Sequence, residues 1–246
     1  MSRIELSIVI PVFNEENRVV DTLVQSETYL KSKRIPAEII VVDDGSSDQT
    51  ISVVEVFRKK KKLSKRLRII RQPINRGKGA AVKAGVMAAK GQVVLYMDAD
   101  NSTPLSEYEK FRGLLEKGTD VVVGSRAVDR SLVKVHQPFY REAMGRIFNL
   151  FVQAVAIPGV QDTQCGFKAF RRTAVRAIFP LQTIERFGFD VEVLYIARKK
   201  GFQISETPVH WINSPYSKVH VFRDSLEMLT DLIVIRLNDW KGLYQS

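Results

Sequence analysis

The order of apolar and polar positions predicts strands that alternate with helices through the first half of the chain. Strand-length apolar runs occupy residues 6–12, 37–42, 67–71, 93–97 and 121–124. Segments with apolar positions at helical spacing follow the first four runs, at 19–31, 51–57, 80–89 and 105–116. This alternation is typical of an α/β fold with a mostly parallel sheet and helices on both faces.

The regular alternation lapses after Arg126. Residues 127–138 have no clear period, and a helix is predicted over 139–156 that is apolar around most of its circumference. Such a helix is either deeply buried or faces an apolar surrounding. Later signals predict a helix near 173–179, a helix from 189 to 200, a strand around 203–211 and a final amphipathic helix over 222–240.

Composition narrows the choice of partners and compartment. The chain has 246 residues, enough for one α/β domain or two smaller ones. Its net charge of +11 favours anionic partners, which are nucleic acid, an anionic membrane surface or phosphorylated substrates. Cys165 is the single cysteine, so no disulfide forms within the chain, which fits a reducing compartment. No apolar run reaches the roughly 18–20 residues of a membrane span, and no secretion signal is recognisable.

The strongest candidate site lies where the fourth predicted strand ends, at Asp98 and Asp100. Ligands of open α/β sheets bind at the carboxyl ends of the strands. Two carboxylates at this spacing can share one Mg²⁺ or Mn²⁺, and such ions usually keep substrate phosphates as further ligands. The predicted ligand is therefore a diphosphate. The alternative is that both acids cap the turn before the next helix, with residues 102–104 as its start signal.

Five loop motifs stand at the same predicted edge of the sheet. They are PVFNE at 11–15, DDGSSD at 43–48, NRGKG at 75–79, DAD at 98–100 and GSR at 124–126. Each is weak by itself, but their order over nearly the whole chain resembles the family 2 glycosyltransferases with the GT-A fold. The resemblance implies a single GT-A domain over 1–246, with a nucleotide-sugar half at 1–126 and an acceptor half at 127–246.

The C-terminal motifs DTQCGFK at 162–168 and FDVE at 189–192 resemble the polyprenyl-phosphate branch of that family. They are similar to dolichyl-phosphate β-glucosyltransferases more than to dolichyl-phosphate mannose synthases. This implies an inverting enzyme that uses Mg²⁺ or Mn²⁺ and moves a hexose, glucose from UDP-glucose in the favoured reading, to a polyprenyl or dolichyl phosphate. A GDP-mannose-dependent mannosyltransferase is the alternative. The mannose synthases tend to follow the metal acids with Leu-Gln, whereas this chain has Asn101 and Ser102.

The resemblance also implies roles for individual residues. The nucleotide-sugar site would consist of Pro11, Phe13, Glu15, Asp44, Lys78, Asp98, Ala99 and Lys218. The metal would be held by Asp98, Asp100 and Ser102, and the acceptor phosphate by Arg126 and Arg141. The predicted catalytic residues are Asp98, Asp100, Arg126 and Asp190. Asp190 and Glu192 would orient the sugar or the acceptor, with helix capping as the alternative for Asp190.

A lipid phosphate acceptor changes what catalysis requires. Its second pKa is roughly 6, so it presents an anionic oxygen at neutral pH without a catalytic base. Cations that bring two anionic substrates together then matter most, because a guanidinium can clamp phosphate oxygens with two donors.

A lipid acceptor also requires contact with a membrane. With no predicted span, we expect the protein to bind the membrane peripherally from the cytoplasm, through the predicted helix over 139–156. Its apolar residues Phe148, Phe151 and Val155 are near Arg130, Lys134 and Arg141 in sequence. The alternatives are that this helix is buried or packs on a second subunit, and that the membrane face lies on the helix over 222–240. The sequence does not predict the oligomeric state.

Two other classes of function fit parts of the sequence. A nucleic-acid-binding protein fits the charge and the basic tract at 58–68, but it does not explain the acidic and glycine loops, and no recognition motif is present. A catalytically silent nucleotide-sugar binder would lack the metal acids, which are present. We therefore predict an enzyme with no nucleic-acid partner. His136, His210 and His220 do not cluster in sequence and are predicted to bind no metal.

Overall fold

A seven-stranded sheet forms the centre of the molecule, in the strand order β3-β2-β1-β4-β7-β5-β8. The computed structural model describes residues 4–135, 149–212 and 221–245. The strands of this sheet are β1 (Leu6–Val12), β2 (Ala37–Asp43), β3 (Leu67–Arg71), β4 (Val93–Met97), β5 (Val121–Ser125), β7 (Phe167–Arg171) and β8 (Ile204–Pro208). A separate parallel pair consists of β6 (Val133–Val135) and β9 (Trp211–Ile212).

Helices connect most of the strands. They are α1 (Val19–Ser32), α2 (Thr50–Lys60), α3 (Lys78–Ala88), α4 (Tyr108–Glu116), α5 (described residues 149–155), α6 (Arg172–Ile178), α7 (Phe189–Lys199) and α8 (Val221–Trp240). Short 3-10 turns occupy Leu105–Glu107, Arg130–Leu132 and Phe179–Leu181. The predicted first four helices and first five strands are confirmed to within a few residues. Of the helix predicted over 139–156, residues 139–148 lie outside the described residues.

Helices cover both faces of the sheet, as the sequence predicts. Side chains alternate along each strand, so Val9 of β1 belongs to one apolar cluster while its neighbours Ile8 and Ile10 belong to another. The first cluster lies under α3, α6 and α7, and the second lies under α1, α2 and α4. Two buried cores on one sheet give the three-layer α/β architecture.

The central strand β7 is the main element that the sequence analysis missed. It runs antiparallel between β4 and β5, and the four other strand pairings in this sheet are parallel. Buried central strands usually read as continuous apolar runs, but Lys168 and Arg171 interrupt this one. Lys168 is nevertheless fully buried, because the Asp190 carboxylate on α7 compensates its charge.

The strand predicted around 203–211 divides into β8 and β9.

Candidate active site

The loops that follow β1 and β2 are joined to each other by hydrogen bonds. Asn14 has a φ of 53°, a left-handed conformation that asparagine tolerates better than most residues. Its Oδ1 accepts from the Ser47 backbone N–H at 2.8 Å, and its own N–H donates to the Ser46 hydroxyl at 2.9 Å. The Glu15 N–H donates to Thr50 Oγ1 at 2.7 Å. Phe13 is thereby held at the carboxyl edge of the sheet, next to Pro11 at the end of β1, with 36% of its surface exposed.

Asp44 connects the loop after β2 to the loop before α3. Its two carboxylate oxygens accept from the backbone N–H groups of Arg76 at 2.9 Å and Gly77 at 2.8 Å. Burial raises the pKa of Asp44, although these two hydrogen bonds oppose the shift. The predicted nucleoside contact at Asp44 would therefore use its remaining lone pairs, while the hydrogen bonds to Arg76 and Gly77 keep the carboxylate in place.

Glu15 is paired with a cation that the sequence analysis did not assign. The Arg18 Nε and Nη2 atoms each donate to one Glu15 oxygen at 2.7 Å. Arg18 Nη1 also lies 4.0 Å from Asp100 Oδ2, so this guanidinium stands between the first loop and the predicted metal acids. Arg18 belongs to none of the loop motifs. Its position three residues after Glu15, just before α1, is the local signal that could have found it.

Lys78, the first residue of α3, forms an ion pair with Asp98. The distance between Lys78 Nζ and Asp98 Oδ1 is 2.6 Å. Burial opposes the charge of Lys78, but the carboxylates of Asp98 and Asp190 outweigh it and hold the pKa of this amine above its ordinary value. The NRGKG and DAD motifs thus meet in space, and Lys78 presents a permanent positive charge beside Asp98.

Asp98 lies against the backbone of β7. A Cβ placed on Gly166, just before that strand, would stand 2.0 Å from Asp98 Oδ2 and 2.6 Å from Oδ1. This separation is far below any real contact, so only glycine leaves room for the carboxylate as it stands. Gly166 belongs to the DTQCGFK motif, but its role could not be predicted from that motif, because its position opposite Asp98 depends on the antiparallel pairing of β4 with β7.

Asp100 is shaped by the turn that follows it. Its Oδ1 accepts from the Ser102 backbone N–H at 3.0 Å and from the Ser102 hydroxyl at 2.7 Å. Asp100 therefore caps the turn before the next helix, as the alternative reading has it for this acid, although no side chain caps the Leu105–Glu107 turn itself. Ala99, between the two acids, is buried, and its carbonyl oxygen accepts from Thr22 Oγ1 at 2.6 Å.

Asp98, Asp100 and Ser102 provide hard oxygen donors in one short loop, which suits Mg²⁺ or Mn²⁺. Among the described residues, no group of three or more His, Cys, Asp or Glu side chains is arranged to hold a metal. The residues present fit a divalent cation that would be held by Asp98 and Asp100, with Ser102 as a further oxygen donor.

Arg126, at the end of β5, is held by Asp162. The guanidinium donates from Nε and Nη2 to the two Asp162 oxygens at 2.7 and 2.8 Å, and the Arg126 backbone N–H donates to Oδ2 at 2.9 Å. Although burial opposes it, the charge of Arg126 lowers the pKa of Asp162. The Trp211 ring lies 5.4 Å from the guanidinium carbon. Arg126 is thus fixed in direction, with its Nη1 edge turned away from the pair with Asp162.

Asp190 and Glu192 are buried and bonded to other residues of the protein, whereas the sequence suggested that they contact the sugar or the acceptor. Asp190 is 2% exposed and accepts from the Tyr96 hydroxyl at 2.6 Å and from Lys168, and no side chain caps α7. Glu192 is fully buried and accepts from the backbone N–H groups of residues 183 and 184 and from the Tyr244 hydroxyl at 2.7 Å. Neither carboxylate has an exposed oxygen face of the kind a direct substrate contact needs, and Asp190 is not the helix cap.

Several predicted residues fall outside this description. Arg141, Phe148, Lys218, His136 and His220 lie outside the described residues. His210 pairs through Nδ1 with Glu107 Oε1 at 2.8 Å. In the part of the chain that the structure describes, no helix is both long enough and apolar enough to cross a bilayer.

The chain belongs to glycosyl transferase family 2, whose family model matches residues 7–179. The dolichyl-phosphate β-glucosyltransferase of Dictyostelium discoideum is 36% identical over 100% of this chain and 78% of its own length. The human enzyme of that name is 36% identical over 98% of this chain and 78% of its own. The Saccharomyces cerevisiae enzyme is also 36% identical, over 98% of this chain and 77% of its own. The protein is therefore a glycosyltransferase, and the resemblance stated from its motifs is confirmed.

Solved structures support the fold. Glucosyl-3-phosphoglycerate synthase from Mycobacterium tuberculosis in complex with phosphoglyceric acid superposes with a TM-score of 0.68 at 18% identity, covering 94% of this chain and 79% of that one. The same enzyme in complex with Mn²⁺, UDP-glucose and phosphoglyceric acid gives a TM-score of 0.65 at 20% identity, covering 95% and 79%. The predicted α/β GT-A fold is confirmed.

Proposed function

We propose that this protein transfers glucose, with inversion, from UDP-glucose to dolichyl phosphate or a related polyprenyl phosphate. The observation that carries the proposal is the identity of 36% to dolichyl-phosphate β-glucosyltransferases over nearly the whole chain. The Lys78–Asp98 pair beside Asp100 supports it, because it places a cation and two hard acids at one sheet edge. No observation favours GDP-mannose as the donor.

The donor half of the reaction needs a diphosphate that leaves readily. We place the nucleoside against Pro11, Phe13, Glu15 and Asp44, and the diphosphate beside Lys78. A Mg²⁺ or Mn²⁺ held by Asp98 and Asp100, with Ser102 as a candidate third ligand, would neutralise diphosphate charge as a Lewis acid. Lys78 adds a fixed positive charge at the same place, and the hydrogen bonds of Asp44 and Asn14 keep the surrounding loops in position.

The acceptor half needs orientation more than proton transfer. A lipid monophosphate is already anionic at neutral pH, since its second pKa is roughly 6. Arg126 suits this acceptor because Asp162 takes its Nε and Nη2 atoms, whereas Nη1, to which no described residue bonds, can donate to a phosphate oxygen. Arg141 and Lys218, outside the described residues, remain proposed contacts to the acceptor phosphate and to the diphosphate respectively.

Residues 1–126 would bind the nucleotide sugar and residues 127–246 would complete the acceptor side, within one domain. The insertion of β7 between β4 and β5 supports a single domain, because the C-terminal half supplies a central strand of the sheet that the N-terminal half begins. Asp162 and Gly166 come from the C-terminal half, yet they contact Arg126 and Asp98 of the N-terminal half.

A substrate panel tests the proposal. The purified protein would be given UDP-glucose, UDP-galactose, GDP-mannose and GDP-glucose, each with a short-chain polyprenyl phosphate and Mn²⁺ or Mg²⁺, and the lipid product would be measured. We expect glucosyl lipid from UDP-glucose. If product forms only from GDP-mannose, GDP-mannose replaces UDP-glucose as the proposed donor. If no donor gives a lipid product, the proposed acceptor is wrong.

We further propose that the protein binds the cytoplasmic face of an anionic membrane through α5. Its residues Leu150 and Phe151 are 67% and 51% exposed, whereas Val152 is buried in the core, so α5 is apolar on its outer side as well. A polyprenyl tail costs about 0.8 kcal/mol per CH₂ to expose to water, so the site must come to the lipid. The net charge of +11 favours an anionic surface.

Liposome flotation separates this surface from others. Wild type should float with anionic liposomes at low salt, and the Leu150→Glu, Phe151→Glu variant should not. Val56→Glu on α2 is a matched control, since Val56 is 64% exposed but lies on the nucleotide half. If the α5 variant floats as well as wild type, α5 is not the membrane face. The exposed residues of α8, Leu226, Ile233, Leu237 and Trp240, are then tested in the same way.

A further inference from the structure

Lys168 is fully buried, which is rare for a lysine. Its ammonium donates to the Asp190 carboxylate and, at 2.6 Å, to the carbonyl oxygen of Cys165. The Tyr96 hydroxyl donates to the same carboxylate at 2.6 Å. The proposed reaction uses none of these three side chains, which we call the buried trio. Moving a charged pair out of water costs desolvation free energy. We therefore ask what the buried Lys168–Asp190 pair does at this place in the fold.

The buried trio is linked to Asp98 through the pairing of β4 with β7. Tyr96 lies in β4 and Asp98 is the first residue after that strand, two positions on, so strand alternation directs both side chains to the same face of the sheet. Lys168 of β7 pairs with Tyr96 across the strands, and Gly166, the residue before β7, lies against the Asp98 carboxylate. The strand pairing that brings Gly166 to Asp98 is thus the same pairing that brings Lys168 to Tyr96.

The third member, Asp190, connects this strand pair to Lys78. Asp190 follows Phe189 at the start of α7, and a Cβ placed on Gly79 of α3 would stand 2.7 Å from Phe189 Cβ. The first turns of α3 and α7 are therefore in close contact, and Lys78 precedes Gly79 by one residue. A closed ring of contacts runs from Asp98 through β7, α7 and α3 back to Lys78.

We propose that Lys168 and Asp190 are positioning residues, which hold the Lys78–Asp98 pair in the geometry that binds the donor diphosphate. The inference rests on the proposed function and replaces a direct catalytic role for Asp190 with an indirect one. Neither side chain reaches substrate, since both are buried. They act by fixing the β4–β7 register behind Asp98 and the first turn of α7 against α3.

The test compares a single variant with a charge-free double variant. Lys168→Met leaves the Asp190 carboxylate buried without its cation and should lower Tm by roughly 10 °C. Lys168→Met, Asp190→Asn removes both charges and keeps an acceptor for the Tyr96 hydroxyl, so its Tm should return to within a few degrees of wild type. Its kcat should still fall about ten- to a hundredfold, because small misplacements of catalytic groups have effects of that size. The KM for the lipid phosphate should stay unchanged.

The far end of α7 offers a matched control of the same chemistry. There Lys199 pairs with Asp239, whose other oxygen accepts from the Tyr195 hydroxyl at 2.5 Å. Lys199→Met, Asp239→Asn should leave kcat and KM at their wild-type values. A folded Lys168→Met, Asp190→Asn variant with wild-type kcat would overturn the proposal and make the buried trio purely structural.

A Tyr96→Phe variant and the affinity for UDP test the positioning role in two further ways. If the double variant does not fold, Tyr96→Phe replaces it, since it removes one hydrogen bond to Asp190 and should lower kcat severalfold; wild-type kcat there would equally overturn the proposal. The affinity for UDP with Mn²⁺, measured by calorimetry, needs no transfer reaction. It should weaken at least tenfold in the double variant. If wild type transferred no hexose, the proposed function would fail, while the UDP comparison would still decide the positioning role.

Discussion

Gly166→Ala should lower the activity of the enzyme about a hundredfold without unfolding it. The added Cβ would stand 2.0 Å from Asp98 Oδ2, and real Cβ contacts essentially never fall below 3.0 Å, so the carboxylate must move by about 1 Å or more. A misplacement of that size costs on the order of a hundredfold in rate, which is about 2.7 kcal/mol of transition-state stabilisation. Because the Asp98 side chain is partly exposed, it can swing aside, and we expect Tm to change by only a few degrees.

The assay is kcat/KM for UDP-glucose with a polyprenyl phosphate acceptor, together with Tm. Gly113→Ala in α4 is the control, because a Cβ there meets nothing within 4 Å. Asp98→Asn should be as inactive as Gly166→Ala. Wild-type activity in Gly166→Ala beside an inactive Asp98→Asn would refute the claim that glycine is needed to place this carboxylate. Full activity in both would remove Asp98 from the site.

Three further outcomes are expected. Asp100→Asn should abolish turnover with the fold intact, and excess EDTA should do the same to wild type; full activity in EDTA would contradict the metal site. Arg126→Ala should raise the KM for the lipid phosphate about ten- to a hundredfold and leave the KM for the nucleotide sugar nearly unchanged, whereas equal effects on both would remove Arg126 from the acceptor site. Burial raises the pKa of Asp231 to about 6, so its ionisation destabilises the fold progressively as the pH rises from about 4 to 6. Asp231→Asn should therefore raise the free energy of unfolding by about 1–2 kcal/mol at pH 7.5 and by nothing at pH 3, as urea titrations at the two pH values would measure.

Local pattern alone was enough to predict the five parallel strands, their helices and the acids at the sheet edge. Apolar runs bounded by polar loops report burial directly, and parallel strands bring their carboxyl ends to one side whatever the details of packing. The position of Asp98 and Asp100 at the sheet edge therefore follows from local pattern alone, and the order of the motifs identifies the family.

Tertiary structure alone decided which charged side chains form pairs in and around the site. Arg126 and Asp162 are 36 residues apart, and Lys168 and Asp190 are 22 apart. The sequence around each of these residues does not indicate its partner. Without that partner, each residue is read as a charge on the protein surface. Strand β7 escaped prediction for the same reason, because a lysine in a central strand is tolerable only when a distant carboxylate compensates it. The contact of Asp98 with Gly166 then follows from the antiparallel direction of β7, which no periodicity in the sequence encodes.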